Sequence, residues 1–275
     1  MNSIRTDTLL SVEDVGLTLN DNLILKNVNV RIDNLVRPDV KDTETGQVVA
    51  FLGPSGRGKT QLLRILAGLQ KPTCGEVFLG KNRDKVRPGS VGMVSQKYYL
   101  YRNRTVLGNL MISVKQTGVT GKAAEDKCKA MLEKFDLADK INHYPAQLSG
   151  GQQQRVAIAQ QLMCSEHFLL MDEPTAGLDV KNKNKVARLV TEVASQDDLN
   201  TIILVTHDIP SALAIADTVW LMGCDRDANG AIIPGARIVD QYDLVERGLM
   251  WHPDVRRMPE FISLVQEIES RFETL

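Results

Sequence analysis

Apolar and polar positions repeat along this chain with two different periods. Side chains alternate in polarity over Leu9–Leu19 and Leu23–Ile32, on either side of the turn Asn20-Asp21-Asn22, and this period of two predicts a hairpin with one buried face. Further strands are predicted for short apolar runs: Gln47–Leu52, Gly75–Gly80, Val91–Ser95, His167–Met171, Thr201–Thr206 and Thr218–Met222. Helical segments between the later runs imply a mostly parallel sheet with right-handed crossovers, hence an α/β fold that begins with an antiparallel β lobe.

Helical spacing dominates from Thr105 to Gln161, where we expect an inserted helical subdomain. A last helix is predicted to begin at Pro259 and to pack one apolar face on the rest of the protein, the face of Phe261, Leu264, Val265, Ile268 and Phe272. The polar stretch 33–46 is interpreted as a surface excursion, and the turn-rich stretch 225–235 as a link between two late edge strands.

Composition and charge narrow the picture. A chain of 275 residues that is 43% hydrophobic and 24% charged is ordinary for a globular protein. The net charge of -1 gives no general reason to bind nucleic acid. The apolar runs are far shorter than the roughly 20 residues that span a bilayer, and residues 1–7 lack the features of a secretory signal. We therefore expect a cytoplasmic protein whose four separate cysteines are reduced thiols.

A glycine-rich stretch between a predicted strand and a predicted helix is the first candidate site. Its nine residues are Gly53, Pro54, Ser55, Gly56, Arg57, Gly58, Lys59, Thr60 and Gln61. The pattern G-x-x-x-x-G-K-[ST] suits a polyphosphate, because small residues let backbone N–H groups point inward and the next helix presents its positive end. Lys59 would reach the phosphates and Thr60 would bind Mg²⁺. An ordinary glycine-rich turn is the alternative, which the flanking elements disfavour.

Two carboxylates follow another apolar run. Asp172 and Glu173 come directly after His167–Met171, at the strand edge where open α/β sheets bind ligands. Asp172 is predicted to hold Mg²⁺, and Glu173 to orient or deprotonate an attacking water. The alternative is a solvated turn after a core strand. Gln96 ends the predicted strand Val91–Ser95 and is placed at the same edge.

Leu148-Ser149-Gly150-Gly151-Gln152 precedes a helical pattern, and a serine cap followed by glycines makes it either a second anion site or a plain capped helix. With this stretch the chain resembles the ATP-binding cassette ATPases over about residues 8–243, with Leu148–Gln152 as the signature motif. Gln96 is similar to the Q-loop glutamine, Ala176–Asp179 to the D-loop, and His207 to the H-loop histidine.

The resemblance implies a cofactor set of ATP and Mg²⁺ and a set of residue roles. Lys59, Glu173 and His207 would be catalytic, with His207 on the γ-phosphate, and Thr60, Gln96 and Asp172 would be associated with Mg²⁺. The remaining nucleotide-binding residues would be the rest of the stretch 53–61, together with Gln96, Ser149, Gly150, Gly151, Gln152 and Asp179. Each ATP would lie between the phosphate loop of one subunit and the signature helix of another.

The family's architecture implies four regions. Residues 1–96 would hold the antiparallel lobe and the first part of the nucleotide-binding core, and residues 97–165 the helical signature subdomain. Residues 166–243 would complete the core, and residues 244–275 would form a C-terminal helical tail.

The leading hypothesis for function is the ATPase subunit of a transporter. In the family, the segment corresponding to Lys97–Met111 receives a multi-spanning permease, and its Tyr98, Tyr99, Tyr101, Arg102 and Arg104 are interface-type residues, unless they pack within the helical subdomain. The partners would be a second cassette, the permease and a solute-binding protein, with no nucleic acid, at the inner face of the cell membrane. Tyr144-Pro145 and the tail beginning Trp251-His252-Pro253 resemble importers of nitrate, sulfonate and bicarbonate.

Two rival functions stay open, and three positions depart from the family pattern. The rivals are a cassette ATPase acting on DNA or ribosomes and a regulator that signals to a membrane protein without transport.

The stretch Gly16–Asn20 has no aromatic residue to stack on adenine, although Leu19 offers an apolar contact. Gln61 replaces a common serine or threonine, and Gln160 replaces a frequent arginine.

Overall fold

The computed structural model describes residues 4–36, 46–95, 98–165, 167–195, 197, 199–250 and 254–275. Gln96, most of the excursion 33–46 and Trp251-His252-Pro253 lie outside the described residues. The strands are β1 Ile4–Leu19, β2 Asn22–Val36, β3 Gln47–Leu52, β4 Cys74–Leu79, β5 Asp84–Lys85, β6 Gly92–Val94, β7 Phe168–Asp172, β8 Thr201–Val205, β9 Thr218–Gly223 and β10 Arg237–Asp243. The helices are α1 Lys59–Leu66, α2 Val106–Gln116, α3 Gly121–Lys134, α4 Gly150–Leu162, α5 Val180–Ala194, α6 Ile209–Leu213 and α7 Pro259–Glu273.

The predicted hairpin is confirmed and belongs to an antiparallel sheet in the order β2-β1-β4-β5. Its turn residues Asn20 and Asp21 have φ of 47° and 62°, the left-handed backbone that a two-residue hairpin turn needs to match the strand twist. The charged stretch 81–89 contributes the short edge strand β5.

A second sheet runs in the order β10-β9-β3-β8-β7-β6, parallel except for the antiparallel edge strand β10. This confirms the predicted α/β fold. The carboxyl ends of β3, β7 and β8 therefore lie side by side, and the residues that follow these three strands meet at one edge of the sheet.

Alternate residues of the central strands enter different cores. On one face, Val49 and Phe51 pack with α1 and the antiparallel sheet. On the other face, Val48 packs with α2 to α5, while Ala50 and Leu52 pack with α6 and α7. Strand β3 is thus buried on both sides, as a central parallel strand must be.

The helical stretch between Thr105 and Gln161 forms α2, α3 and α4, as predicted. Helix α7 also packs on this protein as expected, with Phe261, Leu264 and Ile268 buried and Val265 and Phe272 partly buried. None of the described helices is long and apolar enough to cross a membrane.

Candidate nucleotide site

The phosphate-loop stretch lies between the end of β3 and the start of α1. Gly56 and Gly58 have φ of 79° and 80°, a backbone region that costs glycine little. A Cβ on Gly58 would lie 2.9 Å from Cγ2 of Ile24, so β2 also requires a glycine there. Gly58 precedes α1 and gives it no side-chain cap, which leaves the first N–H groups of the helix available to an anion.

Lys59 is folded back over this loop. Its Nζ donates to the carbonyl oxygens of Gly53 at 2.7 Å and Pro54 at 2.9 Å. The side chain is buried, and burial lowers the pKa of the ammonium, while the carboxylates of Glu173 and Asp172 act in the opposite direction. Phosphate oxygens could replace these two carbonyl oxygens as the acceptors of the Lys59 ammonium.

Thr60 and Asp172 meet across the sheet edge. Thr60 Oγ1 donates to Asp172 Oδ2 at 3.2 Å. Burial raises the pKa of Asp172, and the Thr60 hydrogen bond lowers it. Nearby Glu173 also raises the pKa of Asp172, and Lys59 lowers it. A carboxylate and a hydroxyl at this separation are oxygen ligands suited to Mg²⁺.

Glu173 has a strained backbone and one oxygen without a partner. Its φ is 48°, a region that a long side chain seldom adopts, and its N–H donates to the Val205 carbonyl at 2.9 Å. Its Oε1 lies 2.9 Å from Nδ1 of His207. Its Oε2 is buried and makes no hydrogen bond within the described part of the chain. Buried acceptors are normally satisfied, so this oxygen indicates a place for a donor from a ligand or water.

His207 follows β8 and reaches Glu173 from the neighbouring strand. The preceding Thr206 N–H donates to the Phe51 carbonyl at 3.2 Å. The next residue, Asp208, caps α6 and pairs with Lys183 at 2.6 Å. Asp208 was not among the residues predicted from the sequence, although an aspartate two residues before the proline of a short helix is a recognisable cap signal.

Ser149, Gly150, Gly151 and Gln152 form the start of α4. Ser149 Oγ accepts from Gln152 N at 3.3 Å, and Gln152 Oε1 accepts from Ser149 N at 2.9 Å, which is a capping box. Among the described residues, no hydrogen bond joins this segment to the phosphate loop. Within one chain, therefore, the structure brings Lys59, Thr60, Asp172, Glu173 and His207 together but leaves the signature segment apart.

Asp179 is likewise engaged locally. It caps α5, with its two carboxylate oxygens accepting from the backbone N–H of Asn182 at 2.9 Å and from the side-chain amide at 2.8 Å. Its predicted nucleotide role stays a prediction.

A groove of about 730 Å³ lies beside the helical region, between α2, α4 and the segment after α1. Its most exposed apolar side chains are Leu69 (53% exposed), Tyr99 (77%) and Tyr101 (50%). Tyr98 is half-buried against the helical core, and burial raises the pKa of its hydroxyl. Of the aromatic residues predicted for an interface, Tyr99 and Tyr101 are available, whereas Tyr98 packs inside the chain.

Asn109 was missed by the sequence analysis and holds one wall of this groove. It is completely buried. Its Oδ1 accepts from Tyr101 N at 2.7 Å, and its Nδ2 donates to the carbonyl oxygens of Thr105 at 2.9 Å, Tyr101 at 3.2 Å and Arg104 at 3.3 Å. The signal in the sequence was weak, since an asparagine in a helical pattern is normally assigned to the solvent face.

Comparison with known proteins identifies the group to which this arrangement is similar. The family model described as "ABC transporter" matches residues 40–176. The sulfate/thiosulfate import ATP-binding protein CysA of Mesorhizobium japonicum is 38% identical over 192 residues, which are 67% of this chain and 55% of that protein. The methionine import ATP-binding protein MetN of Lactobacillus delbrueckii subsp. bulgaricus is 35% identical over 212 residues, 72% of this chain and 59% of that protein.

The chain spans little more than half the length of these curated relatives. Among solved structures, cbiO1 from Clostridium perfringens, a part of the ABC transporter complex cbiONQ, aligns with a TM-score of 0.69 and 25% identity. That alignment covers 88% of this chain and 91% of cbiO1.

Proposed function

Because this chain belongs to the ATP-binding cassette (ABC) transporter family, we propose that it is an ATP-hydrolysing subunit that drives solute transport through partner membrane subunits. The observation that carries the proposal is the meeting of Lys59, Thr60, Asp172, Glu173 and His207 at one sheet edge, described above. A binding site for an unreactive anion would not need a carboxylate with an unpartnered oxygen beside a histidine.

The residues present fit ATP and Mg²⁺. Gly56 and Gly58, whose backbone is in the left-handed region, and the uncapped start of α1 provide N–H groups for phosphate oxygens. Lys59 would exchange its carbonyl partners for phosphate oxygens. Thr60 and Asp172 would hold Mg²⁺, which when bound neutralises charge that develops on the phosphates. Gln96, which is outside the described residues, is proposed as a further group near the metal.

Glu173 and His207 would act on the attacking water as a pair. Glu173 Oε1 is already bonded to His207 Nδ1, so its unpartnered Oε2 is the oxygen that would accept a proton from water. The side chain of His207 is 63% exposed, and its other ring nitrogen would donate to the γ-phosphate, which requires a hydrogen on both ring nitrogens because Glu173 and phosphate are both acceptors. The hydrogen bond between them fixes the orientation of both side chains.

A second cassette would complete the site. Ser149 and Gly151 stand at the exposed N-terminus of α4, and within the described residues no hydrogen bond joins them to the phosphate loop of the same chain. That N-terminus would approach the γ-phosphate bound to a second copy or a related cassette, and Asp179 would lie at the same junction. ATP would then close the pair of subunits, and hydrolysis would reopen it.

The groove beside the helical region would receive the permease. Leu69, Tyr99 and Tyr101 present large apolar surface there, and aromatic anchors in a concave surface are typical of interfaces. Such a partner would place the chain peripherally at the inner face of a cell membrane. The named relatives import sulfate or thiosulfate and methionine. Import is accordingly the proposed direction, with a solute-binding protein as a further proposed partner.

The four regions with boundaries at residues 96, 165 and 243 are proposed as the organisation of the chain. The assignment to nitrate, sulfonate or bicarbonate importers is proposed only as one option among importer groups. The rival functions are an activity on DNA or on ribosomes and signalling to a membrane protein without transport, and the docking test below distinguishes action on ribosomes from docking at a membrane.

The test of hydrolysis is Glu173→Gln. We expect ATP to bind with nearly wild-type affinity, the hydrolysis rate to fall by at least about a hundredfold, and a nucleotide-dependent dimer to accumulate on a sizing column. Glu133→Gln, an exposed substitution on α3, is the matched control and should retain full activity. Unchanged hydrolysis in Glu173→Gln would exclude Glu173 as the base.

The test of docking is the double substitution Tyr99→Ala and Tyr101→Ala, with Tyr144→Ala, another exposed tyrosine, as the control. We expect the double variant to lose binding to inverted membrane vesicles of the source organism while keeping its basal ATPase activity. Nuclease-sensitive association of the wild type with ribosomes, without binding to vesicles, would favour the rival function.

A further inference from the structure

Residues 274–275, which follow the last turn of α7 and are called its end below, reach the phosphate loop through Arg57. Nη2 of Arg57 donates to the main-chain carbonyl oxygen of Leu275 at 3.1 Å. This contact joins residues 218 positions apart. Arg57 stands between Gly56 and Gly58, so it is the only residue of this three-residue stretch with a side chain that can hold the loop to another element.

The Leu275 carbonyl is itself held by a second arginine. Nη2 of Arg226 donates to the same oxygen at 3.4 Å, and its Nε donates to the Thr274 carbonyl at 2.7 Å. Arg226 also donates to the Gly230 carbonyl at 2.9 Å, which anchors it in the turn after β9. Because a guanidinium donates in a rigid, planar pattern, these bonds fix the carbonyl that Arg57 uses.

The Leu275 side chain is the apolar half of the same anchor. It is 5% exposed and packs in the core that contains Leu52 and Leu221. It also lies directly against Gly223, where any added Cβ would come within 2.5 Å of it. Leu52 immediately precedes the phosphate loop, so the end of α7 shares a hydrophobic core with the loop's supporting strand and also contacts Arg57.

We propose that the end of α7 braces the phosphate loop through Arg57, making Leu275 and Arg226 positioning residues for ATP binding. The proposal rests on the nucleotide function proposed above. Glycines on both sides of Arg57 give the free loop many conformations. The bond to Leu275 restricts them before the ligand arrives, and pre-organisation of this kind strengthens binding. Arg57 then contributes to the site by holding the backbone rather than by touching phosphate.

If α7 braces the loop, ATP binding and docking of the end of α7 must strengthen each other. If docking of α7 strengthens ATP binding, bound ATP must strengthen docking of α7 by the same factor. The amide hydrogens of Thr274 and Leu275 bond to carbonyls of the last turn of α7, so their exchange with solvent reports the docking. A purely structural role of α7 would leave that exchange unaffected by ATP.

The experiment compares Leu275→Ala and Arg226→Met with wild type by calorimetric titration of a non-hydrolysable ATP analogue and by hydrogen exchange. Leu132→Ala, a completely buried core truncation in α3, controls for general destabilisation. We expect each brace variant to bind the analogue about three- to tenfold more weakly, the range of one hydrogen bond to a charged group. In the wild type, the analogue should slow exchange at the end of α7. Leu132→Ala should bind as the wild type does.

Three results would overturn the proposal. Equal affinity in the brace variants, with the analogue binding normally to wild type, would refute the brace and leave the nucleotide function intact. Tighter binding in those variants would make the contact an inhibitory latch instead. Loss of affinity in Leu132→Ala as well would show only general destabilisation. Failure of the wild type itself to bind the analogue would refute the nucleotide function rather than the brace.

Discussion

Asn109 offers the sharpest test of how a buried polar group shapes the groove. Replacing Asn109 with alanine removes the acceptor for Tyr101 N and the amide donor for the carbonyls of Thr105, Tyr101 and Arg104. The side-chain amide has two hydrogens and three acceptors in reach, so it makes about three bonds in all. At about 1 kcal/mol net for each bond, the free energy of unfolding should fall by about 3 kcal/mol.

That loss is measurable by urea unfolding followed by circular dichroism, and it should lower Tm by roughly 6 to 12 °C, because a domain of this size shifts about 2–4 °C per kcal/mol. The freed backbone of residues 101–104 should also be cut sooner by protease than in the wild type. Asn103→Ala, an exposed asparagine in the same segment, is the matched control and should leave Tm unchanged. An Asn109→Ala variant within about 0.5 kcal/mol of wild type, or equal effects of both variants, would refute the reasoning.

Three further outcomes follow from the charged and titrating groups. Lys59→Ala should weaken ATP binding by about ten- to a hundredfold in a titration, whereas exposed Lys71→Ala should not. Burial raises the pKa of Asp172, so the folded state holds its proton more firmly and stability is lost as pH rises through the folded pKa. Asp172→Asn should hence be more stable than wild type at pH ~7 but not at pH ~3. The same variant should lose Mg²⁺-dependent ATP binding. Lower stability than wild type at pH ~7 would contradict the expected direction of the stability change. Burial, with Glu267 and Asp240, raises the pKa of Tyr242 to about 12. Folding stability should therefore fall between pH ~10 and ~12, and Tyr242→Phe should lose less over that window in urea unfolding.

Much of the site was predictable because its parts are local patterns. An apolar run followed by two carboxylates is a strand with its functional residues at the carboxyl end, and β7 with Asp172 and Glu173 has this form. The glycine pattern before α1 is equally local. The parallel order of the sheet then places these segments side by side, so the sequence could predict which side chains would meet.

Other features depend on contacts between distant segments, which no local period encodes. Tyr98 and Tyr99 are neighbours in sequence, yet Tyr98 packs against the helical core while Tyr99 is 77% exposed. Asn109 is polar and lies in a helical pattern, yet it is completely buried, where it bonds to the N–H of Tyr101 and to backbone carbonyls of residues 101–105. The bond from Arg57 to Leu275 depends on where α7 docks, and the pattern of α7 defines its apolar face but not its endpoint.

The phosphate loop is thus held from two sides before any ligand binds. Lys59 occupies the carbonyls of Gly53 and Pro54 inside the loop, and Arg57 is bonded to Leu275 outside it. An ammonium has three N–H donors and two of them are taken by the carbonyls, so Lys59 must give up at least one carbonyl to reach two phosphate oxygens. The outer contact involves no atom that phosphate needs and can persist. Binding would therefore change the partners of Lys59 within a loop whose backbone is already ordered. The conformational entropy of the two glycines is then lost on folding and not on ATP binding, which strengthens binding.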